Sequence, residues 1–503
     1  MLENWKEKKS KSIIGGAPGK AEKQAKAGKK TARERIDLLF DKGSFEEVGQ
    51  LVTSPFLDKK FYTDGVVTGF GTINGRQIAL FSQDFTIKGG SLGKYHAKKI
   101  CQIMDTAAKI GCPIIGIIDS GGARIDEGIH ALAGYGEIFM RNVRYSGVVP
   151  QISVILGPCA GGAVYSPALT DFIFTTDKIS QLFITGPQVI KQVLHQEITK
   201  EELGGAKVHE QKSGVVHFVT KSETECFKKL KEFLSYLPDN YLSNPTPLGP
   251  LGDAPDKFEP AKKSIKALVP DEQQKSYDVK TVIRSVVDSG KFFEIQKNFA
   301  QNIVIGFSRI NGNTVGIIAN QPQILAGALD INASCKAARF INFCDNFSIP
   351  IVSLVDIPGF LPGIDQEHNG IIRHGAKLLS AYAKATVPKI TVILRKAFGG
   401  AYIVMGSKHL GADFVYSWPS AQIAVLGAQA AVAILHRKTI GDKKELEKEY
   451  EEKFLNPFIA AEYGYIDGII EPDMTRKHLI KALEITQEKV EHLPKKKYGN
   501  IPL

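Results

Sequence analysis

Two glycine pairs are the residues of this sequence best suited to chemistry. Gly161-Gly162-Ala163 and Gly399-Gly400-Ala401 each follow an apolar run typical of a buried strand and precede a helix-like stretch. Glycine allows a turn whose N–H groups point outwards, and the N-terminus of the following helix adds positive potential. Backbone donors in this arrangement stabilise an oxyanion, such as the enolate of a thioester. One pair alone would more often serve close helix–strand packing, but two pairs in one register favour a catalytic role.

A second candidate is the segment Ser120-Gly121-Gly122-Ala123-Arg124, which also follows an apolar run. Its amides are predicted to form an anion-accepting nest beside a ligand, with the Arg124 guanidinium on a phosphate. A helix-capping turn that binds no ligand remains open for the same residues.

No side chain stands out as a catalytic base. His368, His374 and His409 could exchange protons near neutral pH, but none has a partner at the spacing of a metal site or a catalytic triad. We therefore interpret them as structural and expect the base to belong to a substrate or cofactor. Gly69-Phe-Gly71 lacks the third glycine of a dinucleotide fingerprint, and Gly15–Lys20 lacks the first glycine of a P-loop. Neither NAD nor ATP binding is predicted.

The elements that must position these residues occur twice. Segments of the second half repeat segments of the first at a distance of 237 residues, which becomes 238 further along the chain. The matching pairs are Ile73-Asn74-Gly75 with Ile310-Asn311-Gly312, Pro113 with Pro350, Asp119 with Asp356, Val149-Pro150 with Val387-Pro388, and the two Gly-Gly-Ala segments. A register held over so many residues indicates two copies of one domain.

Each copy predicts the same order of elements. A hairpin around Asn-Gly comes first, then a helix, a buried strand, a second helix and a second buried strand that ends at the glycine pair. Short apolar strands that alternate with helices indicate an α/β fold with parallel sheets. Because prolines crowd the middle of the chain, we predict domains at 1–240 and 276–503 joined by an extended linker at 241–275.

Composition narrows the class of protein. The chain has 503 residues and a net charge of +11, which suits an anionic partner such as a nucleotide-bearing ligand; charge alone leaves nucleic acid open. No apolar run approaches the length of a membrane span, so we expect a cytoplasmic protein without membrane insertion. The six cysteines form no Cys-x-x-Cys pair, so we expect neither a disulfide nor a structural zinc.

With these motifs in hand, the chain resembles the carboxyltransferase (beta) subunits of biotin-dependent acyl-CoA carboxylases, propionyl-CoA carboxylase above all. It is also similar to the alpha subunits of biotin-dependent decarboxylases. The matching segments are Thr31-Ala-Arg-Glu-Arg-Ile36, Ile118-Asp-Ser-Gly-Gly-Ala-Arg124, Pro158-Cys-Ala-Gly-Gly-Ala163, Pro358-Gly-Phe-Leu-Pro-Gly363, Ile372-Arg-His-Gly-Ala376, Ala397-Phe-Gly-Gly-Ala-Tyr402, Asn456-Pro-Phe-Ile-Ala-Ala461 and Thr475-Arg476. They run nearly from end to end of the chain.

The resemblance implies two duplicated crotonase-like (ClpP/crotonase) domains, with acyl-CoA held mainly by the first and biotin by the second. Gly161 and Gly162 then look like the amides that hold the acyl thioester oxygen, and Gly400 and Ala401 like those that hold the biotin ureido oxygen. The position matching Ile403 helps to set acyl-chain selectivity in the family. Isoleucine there, where propionyl-CoA enzymes often carry aspartate, leaves the acyl chain open. The implied substrate-binding residues are Ser120, Gly121, Gly122, Ala123, Arg124, Ala160, Ala163, Gly399, Tyr402 and Ile403.

The implied reaction transfers a carboxyl group from carboxybiotin to the α-carbon of a short-chain acyl-CoA, with propionyl-CoA and acetyl-CoA as the expected substrates. The resemblance also implies a homo-oligomer, a hexamer with sites at dimer interfaces, and no metal in this chain. Because no Met-Lys-Met segment and no ATP-binding loop occur here, biotin carboxylase and the biotin carrier are expected on separate partner chains. No nucleic-acid partner is expected. Two alternatives stay open, namely the carboxyltransferase subunit of a methylmalonyl-CoA or glutaconyl-CoA decarboxylase and a non-catalytic assembly scaffold.

Overall fold

The computed structural model describes residues 1–16, 19–245, 264–437, 443–495 and 499–503. The chain divides into two units, Met1–Ser243 and Asn244–Leu503. Most of the predicted proline-rich linker, residues 246–263, lies outside the described residues. Its last part, residues 264–275, belongs to the second unit, where Ile265–Leu268 forms a short 3-10 helix.

The first unit contains eight strands and ten helices among its described residues. The strands are β1 Glu46–Val48, β2 Val66–Ile73, β3 Arg76–Gln83, β4 Ile114–Ser120, β5 Gln151–Ala160, β6 Phe172–Thr176, β7 Gln181–Phe183 and β8 Phe218–Thr220. The helices are α1 Leu2–Ile14, α2 Lys20–Lys26, α3 Ala32–Leu39, α4 Lys94–Ile110, α5 Ile129–Tyr145, α6 Tyr165–Leu169, α7 Pro187–Leu194, α8 Lys200–Gly204, α9 Ala206–Val208 and α10 Glu223–Leu234. The sheet has the order β1-β2-β3-β4-β5-β6-β8, and β7 pairs with the end of β5.

The second unit repeats this plan. Its strands are β9 Phe292–Ile295, β10 Ile303–Ile310, β11 Asn313–Asn320, β12 Ile351–Ile357, β13 Lys389–Phe398, β14 Phe414–Ser417, β15 Gln422–Ala424 and β16 Gly468–Ile469. Its helices are α11 Val279–Val286, α12 Ile331–Asn346, α13 Ile364–His368, α14 Ile371–Lys384, α15 Gly399–Val404, α16 Ala428–Leu435, α17 Lys444–Phe454, α18 Pro457–Glu462 and α19 Thr475–Ile485. The sheet order is β9-β10-β11-β12-β13-β14-β16, with β15 beside β13.

The two sheet orders are identical, strand for strand. In each sheet the first three strands are antiparallel and the later pairs are parallel. The predicted duplication and the predicted α/β class with parallel strands are therefore confirmed. No helix among the described residues is both long and apolar enough to cross a lipid bilayer.

Local sequence accounts for the main elements. The hairpin residues Asn74 and Gly75 have φ of 51° and 77°, and Asn311 and Gly312 have φ of 52° and 80°. Two successive residues with positive φ form the turn that matches the twist of antiparallel strands, which is why Asn-Gly occurs in both places. Strand β12 is buried along its whole length, as its run of β-branched and leucine side chains predicts.

The central strands are longer than their apolar runs predict. The apolar runs of β5 and β13 cover 152–156 and 390–394. Both strands instead continue for several residues, as far as the glycine turns. The β4–β5 register shifts between Ile118 and Ser120, and the β12–β13 register shifts between Val355 and Ile357. Each sheet therefore contains a bulge close to the glycine turn, and beyond it the strand pairs with the short β7 or β15.

Candidate active site

The two glycine pairs adopt the same backbone conformation in the two units. Gly161 directly follows β5 and has a φ of 58°. Gly399 directly follows β13 and has a φ of 59°. Residues with a Cβ rarely adopt this left-handed conformation, so the backbone favours glycine at the first position of each pair. A 3-10 turn, Gly161–Val164, follows in the first unit, and α15 begins at Gly399 in the second.

Each turn exposes backbone donors at the end of a central strand. The first N–H groups of a helix have no acceptor within that helix and attract an oxyanion. We call Gly161–Ala163 the first glycine turn and Gly399–Ala401 the second glycine turn. The two turns therefore present the same kind of backbone at equivalent strand ends.

The second glycine of each pair has a different environment in each unit. A Cβ on Gly162 would lie 3.1 Å from Cδ2 of Tyr135, whereas a Cβ on Gly400 would meet no atom within 4 Å among the described residues. Packing inside the first unit therefore disfavours a side chain at 162. Nothing described in the second unit requires glycine at 400.

Tyr135 is a residue that the sequence does not single out. It lies on α5 with only 4% of its surface exposed, and its ring packs beneath Gly162. The hydroxyl has no hydrogen-bond partner of ordinary geometry among the described residues. Burial raises the pKa of the Tyr135 phenol, and the side chain of Ser120 opposes that rise. The only sequence signal is an aromatic residue on the apolar face of a helix, which is typical of any core position.

The Ser120–Arg124 segment does not form the predicted anion nest. The N–H of Gly121 donates to the carbonyl of Gly89 at 3.0 Å, and the N–H of Gly122 donates to Oγ of Ser120 at 3.1 Å. These two amides are used inside the first unit, so their hydrogen bonds do not support the predicted anion nest. The segment is a turn at the end of β4 that these hydrogen bonds hold in place. Its residue Ala123 forms a β-bridge with Leu92.

The surroundings of Arg124 do not support its predicted phosphate contact either. The side chain is 2% exposed, and its Nη1 lies 2.7 Å from Oδ1 of Asp64 and 2.8 Å from Oε1 of Glu127. Its Nη2 donates to the backbone carbonyls of Asp64 and Ser91. A guanidinium with two buried carboxylate partners is held in the interior, so Arg124 fixes the turn.

The remaining predicted residues surround the two turns. Ala160 is the last residue of β5, and Ala163 and Ala401 are buried. Tyr402 is half-buried on α15, with a hydroxyl that has no hydrogen-bond partner among the described residues. Ile403 follows it with 38% of its surface exposed, so its side chain is accessible to a ligand or to another chain.

The histidines have structural surroundings. Nδ1 of His374 lies 3.1 Å from Sγ of Cys335, and burial together with Lys377 and Arg373 lowers the pKa of His374. The ring of His409 packs against the rings of Tyr402 and Tyr465. These contacts hold both rings against neighbouring side chains.

Comparison with known proteins gives one consistent result. Residues 23–501 match a family model described as carboxyl transferase domain. The chain is 52% identical to the propionyl-CoA carboxylase beta chain of Roseobacter denitrificans, over 100% of this chain and 99% of that protein. It is 50% identical to the methylmalonyl-CoA decarboxylase subunit alpha of Propionigenium modestum, over 100% of this chain and 99% of that protein. The solved structure of transcarboxylase 12S, a hexamer with methylmalonyl-coenzyme A bound, superposes with a TM-score of 0.95 and 48% identity, covering 100% of this chain and 98% of that one.

Proposed function

This chain belongs to the carboxyl transferase family, and from that membership we propose that it is the carboxyltransferase subunit of an acyl-CoA carboxylase. It moves a carboxyl group from carboxybiotin to the α-carbon of a short-chain acyl-CoA, propionyl-CoA or acetyl-CoA. The observation that carries the proposal is the pair of equivalent glycine turns, whose first residues have φ of 58° and 59° at the ends of equivalent strands. A reaction that stabilises two oxyanions needs two such turns.

The two turns have separate tasks in this proposal. The amides of Gly161 and Gly162 receive the thioester oxygen and stabilise the enolate of the acyl-CoA. The amides of Gly400 and Ala401 receive the ureido oxygen of biotin. The unfilled space at Gly400 suits a planar group that must approach the backbone closely.

The protein side of the mechanism is electrostatic. Biotin, when bound in its carboxylated form, supplies the carboxyl group and a ureido nitrogen that can take the α-proton. The backbone donors of each turn are fixed before the reaction, so they stabilise developing negative charge without reorganisation. The side chains described around the turns provide packing and orientation.

Partner chains complete the enzyme. We propose that a biotin carboxylase and a biotin carrier are separate subunits and that this chain forms a homo-oligomer, a hexamer. Each site then combines the first glycine turn of one protomer with the second glycine turn of its partner. The hexameric assembly described for transcarboxylase 12S, at 48% identity, supports the proposed hexamer.

A second function is favoured by a specific observation. Identity to the methylmalonyl-CoA decarboxylase subunit alpha is 50%, close to the 52% found for the propionyl-CoA carboxylase beta chain. The same turns serve both directions, because an enolate and a ureido oxyanion occur in each. The decarboxylase direction is therefore the second candidate.

Carboxyl transfer can be tested in the reverse direction on the purified chain. Methylmalonyl-CoA with an isotopic label in its free carboxyl group is incubated with free biotin. We expect labelled carboxybiotin and propionyl-CoA in equal amounts, formed only when both substrates are present.

Gly162→Val provides the site control for this assay. Loss of a preorganised donor should lower the transfer rate by roughly two orders of magnitude or more. Transfer that occurs at the same rate in this variant, or no transfer by the folded wild-type chain with any of malonyl-, methylmalonyl- or glutaconyl-CoA, would contradict the proposed function.

A further inference from the structure

The bulge before each glycine turn contains a buried carboxylate. Asp119 lies between the paired residues Ile118 and Ser120, and Asp356 lies between Val355 and Ile357. Asp119 is 0% exposed and Asp356 is 1% exposed. A buried carboxylate is stable only with a cationic or hydrogen-bonding partner. The source of that partner differs between the two units.

In the first unit the cations come from residues 19–39, which form α2 and α3 and are called the N-terminal arm below. Nζ of Lys29 lies 2.7 Å from Oδ1 of Asp119, and Nη1 of Arg35 lies 3.0 Å from Oδ2. Nη2 of Arg35 also donates to the carbonyl of Leu156 at 2.7 Å, inside the bulge of β5. Glu223 on α10 accepts two further bonds from Arg35 at 2.9 and 2.8 Å. One guanidinium therefore joins the arm, both central strands and a distant helix.

In the second unit the cation comes from the strand itself. Nε of Arg395 on β13 lies 3.0 Å from Oδ2 of Asp356, and the backbone N–H of Lys396 donates to Oδ1 at 3.1 Å. Nη1 of Arg395 donates outwards, to the backbone carbonyls of Glu272 and Lys275. The segment before α11 thus receives bonds from the bulge, and none of its described residues forms an ion pair with Asp356.

At one pair of equivalent strand positions, the first unit has no room for the arginine that the second unit uses. Arg395 corresponds to Gly157, because both precede the first glycine of their turn by four residues. A Cβ on Gly157 would lie 1.9 Å from Oδ1 of Asp119 and 2.8 Å from Nζ of Lys29. The place of the strand arginine is therefore occupied in the first unit by the carboxylate and the lysine of the arm.

These contacts determine the path of the strand that ends in the turn. Burial raises the pKa of Asp119, and Arg35 and Lys29 oppose that rise by favouring the charged form. Since the charged carboxylate bonds to Arg35, and Arg35 bonds to Leu156, the bulge has one defined shape. Only four residues separate Leu156 from the first glycine, so the direction of the amides in the first glycine turn depends on this shape.

We propose that Arg35 is a positioning residue for the first glycine turn, that Arg395 is its counterpart for the second, and that the N-terminal arm thereby controls the acyl side of the reaction alone. The assignment of sides rests on the proposed function. The positioning itself is a property of each unit. Lysine cannot replace either arginine, because an ammonium group lacks the planar fork that bonds several acceptors at fixed angles.

The test compares Arg35→Lys with Arg395→Lys by kinetics. Displacement of a turn by about 1 Å can lower the rate by about a hundredfold. We expect Arg35→Lys to raise KM for methylmalonyl-CoA at least tenfold with an unchanged KM for biotin, and Arg395→Lys to do the opposite. A purely structural role would lower kcat only through loss of folded enzyme, so unchanged KM values together with an unchanged kcat per folded enzyme in both variants would overturn the proposal.

Hydrogen–deuterium exchange provides a readout that does not need activity. Arg35→Lys should speed exchange in peptides covering the first glycine turn and not the second, and Arg395→Lys should reverse the pattern. If the wild-type chain transfers no carboxyl group, the proposed function fails while this exchange pattern still decides the positioning. Equal changes at both turns, or none at either, would overturn it. If Arg35→Lys does not fold, Lys29→Met removes one cation from the same carboxylate and is read in the same way.

Discussion

Replacing Gly400 with alanine tests whether glycine is needed at this position for ligand binding or for folding. Gly400 has an ordinary φ, and an added Cβ would meet no described atom within 4 Å. Alanine is favoured over glycine inside a helix by up to about 1 kcal/mol, so the fold of the second unit should tolerate the change or gain from it. If biotin lies against this backbone, however, the methyl group occupies the space of the ligand.

The expected loss follows from geometry. A methyl group that pushes the ureido oxygen about 1 Å away from its donors should slow carboxyl transfer by about a hundredfold, which equals about 2.7 kcal/mol of transition-state stabilisation. Gly162→Ala gives a contrasting result. Its Cβ would lie 3.1 Å from the ring of Tyr135, so this variant should also lose about 1–3 kcal/mol of stability through overpacking.

The assay measures transfer from methylmalonyl-CoA to free biotin together with the melting temperature of each variant. Gly136→Ala is the matched control, because Gly136 is exposed on α5 and an added Cβ there also meets no atom within 4 Å. We expect Gly400→Ala to melt at or above the wild-type temperature while losing activity, and Gly136→Ala to retain activity. Wild-type transfer by Gly400→Ala would refute the reasoning, since the space at Gly400 would then not be a ligand site.

Three further results are expected. Ile403→Asp should change the ratio of kcat/KM for acetyl-CoA over propionyl-CoA by about tenfold; a constant ratio with lower activity would mean that Ile403 only packs. Mixed reassembly of Gly162→Val and Gly400→Val chains, each inactive alone, should restore part of the activity, because one interface of a mixed dimer carries neither change; no recovery in verified mixed oligomers would place both turns of a site on one chain. Burial lowers the pKa of Lys99 and of Lys336 to about 7, whereas the unfolded lysines keep their protons to about 10.5. The unfolded state then binds more protons across this window, so the melting temperature should rise with pH between 7 and 10.5; an equal slope in Lys99→Met would exclude Lys99 as a source of that rise.

Local signals in the sequence were sufficient for much of the fold. Asn74-Gly75 and Asn311-Gly312 marked both hairpins because a turn with two positive φ values strongly favours these residues. The apolar runs located the central strands because burial on both faces leaves few polar positions. The ends of β5 and β13 were missed, since Gly157-Pro158 and Arg395-Lys396 are typical of a strand that has ended. Pairing with β7 and β15 continues both strands, and sequence periodicity does not reveal that pairing.

The parts of the candidate site that depend on backbone conformation alone were predictable from the sequence. Glycine at 161 and 399 is favoured by a local φ, so the two turns could be located from sequence. The buried position of Arg124 was missed because one of its two carboxylate partners, Asp64, lies 60 residues earlier in the chain. Arg35 was missed for the same reason, since its bond to Asp119 spans 84 residues. Charge pairs over such distances leave no spacing pattern.

The first unit has Gly157 where the second has Arg395, and this difference constrains how the two halves of the gene can evolve. Duplicated segments tend to be made alike again by recombination between the copies. Copying the second half over the first at this position would place an arginine where Asp119 already bonds Arg35 and Lys29, with a Cβ only 1.9 Å from the carboxylate oxygen. The reverse copy would leave the buried Asp356 without its guanidinium. Either event damages one half, so selection keeps the copies different and the duplication cannot be reversed at this position by a single recombination.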